Sequence, residues 1–454
     1  MFKYSSIIIG ILGLSVVYQG ITGRTQGQLI LDQRKDFNQE VATQTLIQLT
    51  EGKADHTRPL ISDEDLARLV DHLEALPEPR LVRWPDGHQE LISEGHKALR
   101  IFTQGRRTFV DITDDNSFDL PLHPNIPLKL DEHPPLLNNP SFPLSIRFGK
   151  EKLAHLTDLI LPSRMKDRLT QFTSFETRYC FFFDMHRYYR SLTGRKSQAW
   201  LLNEIRTLVS KSSSNVTVRE FAHKWGQNTI IARFEPVEGR SETRGGEKGK
   251  TLIVAAPGAD DDGSGTVTIL EALDVLLQHN WRPSPGSGAV EFMWFSAEEG
   301  GLLGSQEVAR AYRQNNTPVS AMLQLDMTAF VKNATVVIRR NTESLCTKYL
   351  RLLIDEYLAI GWTNTKCGYA CSDHASWTNI NVPSAFAIES RFEDSNQMIH
   401  SAGDTIHQPG FNFNHMAEFS KLVLGINWER KKEYLDRLVW GYAVRVKDVC
   451  ACLK

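Results

Sequence analysis

The chain has 454 residues, is 41% hydrophobic and 23% charged, and carries a formal net charge of -2. That length and apolar content suffice for one large α/β domain plus a smaller one, and they exclude a chain that is disordered throughout. Basic and acidic residues are interspersed, which leaves no electrostatic footprint for nucleic acid or an anionic membrane, so neither is expected as a partner.

Lys3 precedes an apolar stretch from Ile7 to Val17 that is too short to span a bilayer and suits the core of a secretory signal peptide over residues 1–20. A secreted, extracellular protein is therefore expected; a short anchor or buried helix is the alternative for this stretch. Residues 21–140 are charged and broken by turn signals such as RWPDGHQE and DEHPPLLNNPSFP. Within them ISDEDLARLVDHLEAL predicts a capped amphipathic helix, and HKALRIFTQGRRTFVDIT predicts extended segments around a turn. Together they make a small α+β domain, joined to the larger domain by the Pro/Asn-rich stretch from His133 to Pro143.

From 145 to 425 strand and helix patterns alternate. Apolar, β-rich runs stand at 216–222, 229–235, 251–256, 289–296, 321–326 and 383–389. Helical patterns intervene at GTVTILEALDVLLQH, LLGSQEVARAYRQN and LCTKYLRLLIDEYLA. The alternation predicts an α/β fold with helices on both faces of a mainly parallel mixed sheet. Sites on such sheets gather beyond the carboxyl ends of strands, where Asp261, Glu299 and Asp326 fall.

These residues belong to three acidic motifs: APGADDDGSG, the Glu298-Glu299 pair after AVEFMWFSA, and LQLDM. Grouped carboxylates resist burial unless a multivalent cation neutralises them. Each motif alone reads as a solvated turn, but with His400 in IHSAGDT they supply from separate loops the oxygen and imidazole donors that zinc accepts. Asp404 either orients His400 or caps a surface helix. Cys367 and Cys371 in CGYAC have a spacing that can close a small disulfide loop in an oxidising compartment, whereas Cys180, Cys346, Cys450 and Cys452 show no evident pairing. Asp373 and His374, just after them, are assigned to a structural loop. Sequons at Asn215, Asn315 and Asn333 would accept glycans in a secreted chain.

Between about Phe172 and Gly425 the chain resembles the secreted fungal-type leucine aminopeptidases of the binuclear zinc exopeptidase family. The likeness is carried by FTSFETRY, FAHKWGQ, APGADDDGSGTVTILEAL, FSAEEGGLLGS, LQLDM, CGYACSDHASW, PSAFAIES, FEDSN and IHSAGDT. It implies the zinc exopeptidase fold and a pair of Zn2+ ions bridged by Asp261. Glu299 and His400 would complete one metal, Asp326 would serve the other, and Glu298 would be the general base. The resemblance also implies a Cys367–Cys371 disulfide presenting Tyr369 to the substrate. It further makes residues 21–140 an inhibitory pro-segment, with a permanent accessory domain as the alternative.

The chain departs from the family at three places. The His-x-Asp motif expected after TLIVAA is missing, because that run leads directly into PGADDDGSG, and the second metal loses an imidazole and its acidic partner. His223 and His186 are the other histidines weighed for that corner, and both read as structural or exposed. CFFFDMHRY, from Cys180 to Tyr188, reads as an insertion, and residues 426–454 as an atypical tail. With the deletion before Pro257, these are the marks of misplaced exon edges. The expected protein is a monomeric, secreted zinc metallo-aminopeptidase, made as a zymogen, that removes apolar, leucine-like residues from peptide N-termini and is impaired by the missing motif. The alternatives are an inactive relative that binds peptide or one metal, and a two-zinc carboxypeptidase or aminoacylase. The latter is disfavoured because no Arg or Lys stands inside the acidic motifs.

Overall fold

The computed structural model describes residues 76–97, 109–114, 142–143, 145–175, 189–237, 250–255, 260–285, 287–332, 335–338, 345–365, 371–399 and 403–429. The expected signal peptide, the helical pattern before Leu76, Cys180, His186, Asn333, Cys367, Tyr369, His400, Cys450 and Cys452 lie outside them.

β1 (Pro79–Arg83), β2 (Gln89–Ser93) and β3 (Val110–Asp111) form a small antiparallel sheet in the order β2-β1-β3. The large sheet contains β4 (Val216–Phe221), β5 (Thr229–Phe234), β6 (Thr251–Ala255), β7 (Val290–Trp294), β8 (Val319–Leu325), β9 (Thr335–Ile338), β10 (Trp362–Thr365) and β11 (Ser384–Ile388). Their order is β10-β9-β11-β8-β6-β7-β5-β4. β11, β8, β6 and β7 run parallel to one another. On one flank β5 opposes both β7 and β4, because the short FAHKWGQN connection between β4 and β5 permits only a hairpin. On the other flank β9 opposes β11 while running parallel with β10. The sheet is therefore mixed, parallel through its middle. β9 and β10, unlike the other six strands, were not marked by the sequence, since runs of four residues leave too little alternation to read.

The helices are α1 (Lys150–Thr157), α2 (Pro162–Thr173), α3 (Leu192–Ser210), α4 (Gly263–Gln278), α5 (Leu303–Gln314), α6 (Leu345–Tyr357), α7 (His374–Asn379) and α8 (Phe413–Trp428). α4 is buried from Gly263 to Leu277, so it must be covered on every side, and it packs against α8 and α2. It carries two acids into that setting. Glu271, with no exposed surface, accepts from the Arg164 guanidinium at 2.5 Å, from Arg168 at 3.0 Å and from the Leu161 N–H at 2.8 Å. Asp274 accepts from Arg168 at 2.6 Å. α8 runs past Gly425: Ile426 and Trp428 join the core, and Glu429 accepts from Phe148 N–H at 3.0 Å and Tyr357 O–H at 2.5 Å. The helix and its contacts thus continue past the expected boundary at 425, to Glu429.

Residues from Ile61 onward form one compact unit, and the small sheet packs within it. Asp111 donates its N–H to the Gly301 carbonyl at 3.1 Å, and Gln306 Nε2 returns a bond to the Asp111 carbonyl at 2.9 Å. Lys97 has no exposed surface and pairs with Asp111 at 2.8 Å and Glu94 at 3.1 Å; Glu94 also accepts from the Tyr189 hydroxyl. None of the described helices is long and apolar enough to cross a membrane.

Removing one partner of a buried ion pair strands the other. Glu271→Ala is therefore expected to cost about 3 kcal/mol in chemical denaturation, and a loss below about 1 kcal/mol would contradict this account of the α2–α4 contact.

Candidate metal centre

β6, β7 and β8 are neighbours in the sheet, and the loops leaving their carboxyl ends bring acids to one rim. Asp261 lies in the turn between β6 and α4, Glu298 and Glu299 follow β7, and Asp326 directly follows β8. The Glu298 turn is shaped by the left-handed Ala297, φ 56°, and by bonds from Gly301 N–H and Leu302 N–H to the Glu298 carbonyl at 2.9 and 2.7 Å. Ser372 Oγ donates to Asp326 Oδ2 at 2.6 Å, leaving Oδ1 buried with no hydrogen bond. Asp262 Oδ1 caps α4 through Gly265 N–H at 2.6 Å and accepts Met327 N–H at 2.9 Å, which ties the triplet to the β8 loop. Its Oδ2 is buried without a hydrogen bond.

The acids act on one another. Burial first, then the charges of Glu299, Asp373, Asp326 and Asp261, push Glu298 well above the usual carboxylate range, although part of its surface stays accessible. Asp326 is raised by burial and then by Asp261, Asp373 and Glu299, and Asp262 by burial and then by Asp326 and Asp261. Burial and then Glu299 push Asp373 up to about 7. Buried carboxylate oxygens without hydrogen bonds, among acids that repel one another, are a donor set that fits a divalent cation. Among the described residues no three His, Cys, Asp or Glu side chains stand in ready metal-ligating proximity, and His400 is not among those residues.

A second buried layer lies behind the triplet. Asp404 accepts from Asp260 N–H at 3.2 Å, Asp261 N–H at 3.4 Å and Asn396 Nδ2 at 3.3 Å. Asn396 Nδ2 also donates to Asp260 Oδ2 at 2.8 Å, and its N–H donates to Glu389 Oε1 at 2.9 Å. Asp404 is thus no surface cap; it holds the backbone of the Asp261 turn. Burial and the Asp404 charge push Asp260 up to about 7. Beside Asp326, Met327, Phe386 and Ile388 form a buried apolar cluster against which Cys371, Phe392 and Ile399 pack.

Residues 244–425 match the family described as Peptidase family M28. Leucine aminopeptidase 1 of Chaetomium globosum is 37% identical over 375 residues, an alignment covering 77% of this chain and 89% of that protein. The chain belongs to peptidase family M28. Leucine aminopeptidase 1 of Aspergillus clavatus is 40% identical over 316 residues, covering 65% of this chain and 78% of its own. Among solved structures, the LapA aminopeptidase of Legionella pneumophila shares the fold with a TM-score of 0.64 at 22% identity, covering 79% of this chain and 99% of that one. LapB of the same organism gives 0.60 at 22%, covering 80% and 97%.

Of the acids singled out in this M28 chain, Asp261, Glu298, Glu299 and Asp326 meet at one rim. Cys371 is disulfide-bonded. Asn215 and Asn315 are exposed. His223 is engaged at both ring nitrogens, with Glu307 at 2.6 Å and Thr229 at 2.8 Å, which excludes it as a replacement ligand in this arrangement. Sequence reading placed Asp373 in a structural loop; its electrostatic coupling to Glu298 and Asp326 adds it to the acidic site. Ser372, Asn396 and Glu389 were missed because serine and amide groups carry no charge signature and Glu389 ends an ordinary strand pattern. The FEDSN motif, which holds Asn396, was the available signal.

The raised acids make a prediction for metal-free protein. The neutral form of Asp373 contributes stability below its ordinary 3.8 and loses it as pH rises through about 7, and the other raised acids act in the same direction. With chelator present, the melting temperature is expected to fall across that window, and zinc is expected to abolish the fall. Parallel profiles with and without zinc would contradict a cation site here.

Proposed function

We propose that this chain is a zinc metallo-aminopeptidase that removes apolar, leucine-like residues from the N-termini of peptides. The observation that carries this reading is the convergence of Asp261, Glu298, Glu299 and Asp326 beside a buried apolar cluster, in an M28 chain whose relatives include leucine aminopeptidases. Asp261, Glu299 and Asp326, with His400, would hold zinc, which supplies a polarised carbonyl and acidifies water toward neutral pH.

Glu298 takes the proton of the attacking water and passes it to the leaving amine. Burial gives it a higher proton affinity than a solvated carboxylate. The same negative rim attracts a peptide's free amino group. The partly buried Cys371, Phe392 and Ile399, backed by Met327, Phe386 and Ile388, offer an apolar surface to the substrate side chain. Cys367 is the partner of Cys371, and the loop they close offers Tyr369 to the substrate.

Residues 1–20 direct secretion, in keeping with the disulfide-bonded Cys371, and the exposed Asn215 and Asn315 accept glycans, with Asn333 as a third acceptor. Residues 21–140 act as a removable pro-segment. In support, Asp111 is laid directly on Gly301, in the turn that carries Glu298 and Glu299. Without the His-x-Asp motif the second zinc is held weakly, and turnover is slower than a complete site would allow. A chain that keeps a single metal and binds peptides without cleaving them is the second reading, favoured by that missing motif.

Hydrolysis of a leucyl 4-nitroanilide in zinc-containing buffer tests the proposal. Turnover is expected, and Glu298→Gln is expected to lower kcat on the order of 10²- to 10⁴-fold with zinc content unchanged. Wild-type protein that holds two zincs yet gives no turnover would overturn it.

A further inference from the structure

FAHKWGQ, the connection between β4 and β5, takes no part in the chemistry assigned above, yet its polar side chains converge on one residue, Ser296, two positions before Glu298. Every hydrogen-bonding group of Ser296 is engaged. Its N–H donates to Thr229 Oγ1 at 3.1 Å, and its Oγ donates to Gln227 Oε1 at 2.8 Å. That Oγ also accepts from Trp225 Nε1 at 2.9 Å, and the Ser296 carbonyl accepts Gly304 N–H at 3.1 Å. Gly304 admits no side chain, since a Cβ there would stand 2.1 Å from that carbonyl.

Thr229 continues the chain inward. Its hydroxyl oxygen accepts Ser296 N–H and stands 2.8 Å from His223 Nε2. His223 Nδ1 stands 2.6 Å from the Glu307 carboxylate, which only accepts, so the ring proton sits on Nδ1. With the Ser296 N–H a donor at one end and the Glu307 carboxylate an acceptor at the other, a ring carrying its proton on Nδ1 makes the bonds run in one direction, from Ser296 N–H through Thr229 and His223 to Glu307. Trp225 covers the imidazole, its ring stacked at 4.4 Å and 6°. A nucleophilic role for this Glu–His–Thr arrangement fails, because Thr229 has no exposed surface and its hydroxyl is fully committed.

We infer that Glu307, His223, Thr229, Trp225 and Gln227 are positioning residues for the general base, clamping Ser296 so that the left-handed Ala297 projects Glu298 at the reacting water. This rests on the proposed aminopeptidase function. None of these residues belongs to the apolar cluster offered to the substrate side chain, so loosening the clamp should reduce kcat and spare KM. A shift of about 1 Å at a reacting group can cost on the order of 100-fold in rate.

Thr229→Val keeps the shape and deletes the hydroxyl, whereas Thr229→Ser keeps the hydroxyl. Both are assayed in the full chain on a leucyl 4-nitroanilide, with melting temperature and bound zinc measured alongside. Thr229→Val is expected to lose on the order of 10- to 100-fold in kcat with KM within about twofold and zinc retained, and Thr229→Ser to keep most of the activity. Should Thr229→Val fail to fold, Trp225→Phe, which deletes only the bond to Ser296 Oγ and keeps a ring over His223, is expected to lower kcat severalfold at unchanged KM. Unchanged kcat in the folded variants, equal losses in Val and Ser variants, or a loss that appears in KM would overturn the inference. A wild-type chain without turnover would instead overturn the underlying aminopeptidase reading.

Discussion

Repulsion among carboxylates that the sheet forces to one rim is the interaction around which this molecule is organised. The parallel strands β6, β7 and β8 end side by side, so Asp261, Glu298, Glu299 and Asp326 are brought close by topology, before any ligand is considered. In water such a group would scatter. Here it is backed by α4, a helix buried over nearly its whole length; Asp326 is buried, and Asp261, Glu298 and Glu299 keep only part of their surface accessible. The charge has to be removed by protons or by a cation, and near neutral pH a divalent cation does so at lower free energy.

Two separate devices hold the rim against that repulsion. On the β6 side, Asp404 and Asn396 tie down the backbone and side chain of the triplet, and Asp262 caps α4 while bonding to the β8 loop. On the β7 side the hold falls on Ser296, whose partners come from the β4–β5 hairpin and α5. The two devices share no residue. This suits a site whose ligands must stay fixed while the base exchanges protons. The small N-terminal sheet adds a third contact through Asp111 and Gly301, and its buried Lys97 is neutralised by both Asp111 and Glu94.

The middle of the sheet was legible because long apolar runs such as AVEFMWFS and AMLQLD are buried on both faces and carry their acids at the ends. The short strands TVVI and WTNT were not, since runs of four residues leave too little alternation to read. The first tier of acids could be read from motif spacing. The supporting tier could not: the bonds from Asn396 to Asp260 and from Ser296 to Thr229 span 136 and 67 positions, and nothing local announces a contact over such a separation. The reach of α8 to Glu429 could not be read either, for a related reason. Glu429 looks like the first charge of a polar tail until Arg147, Phe148 and Tyr357 close around it.

The most direct test of the central claim is anomalous diffraction at the zinc edge from crystals grown with zinc. A peak about 2.0–2.2 Å from carboxylate oxygens of Asp261 and Asp326 is the predicted result. A map with no peak between Asp261, Glu299 and Asp326, from crystals in which the acids nonetheless remain packed together, would contradict it.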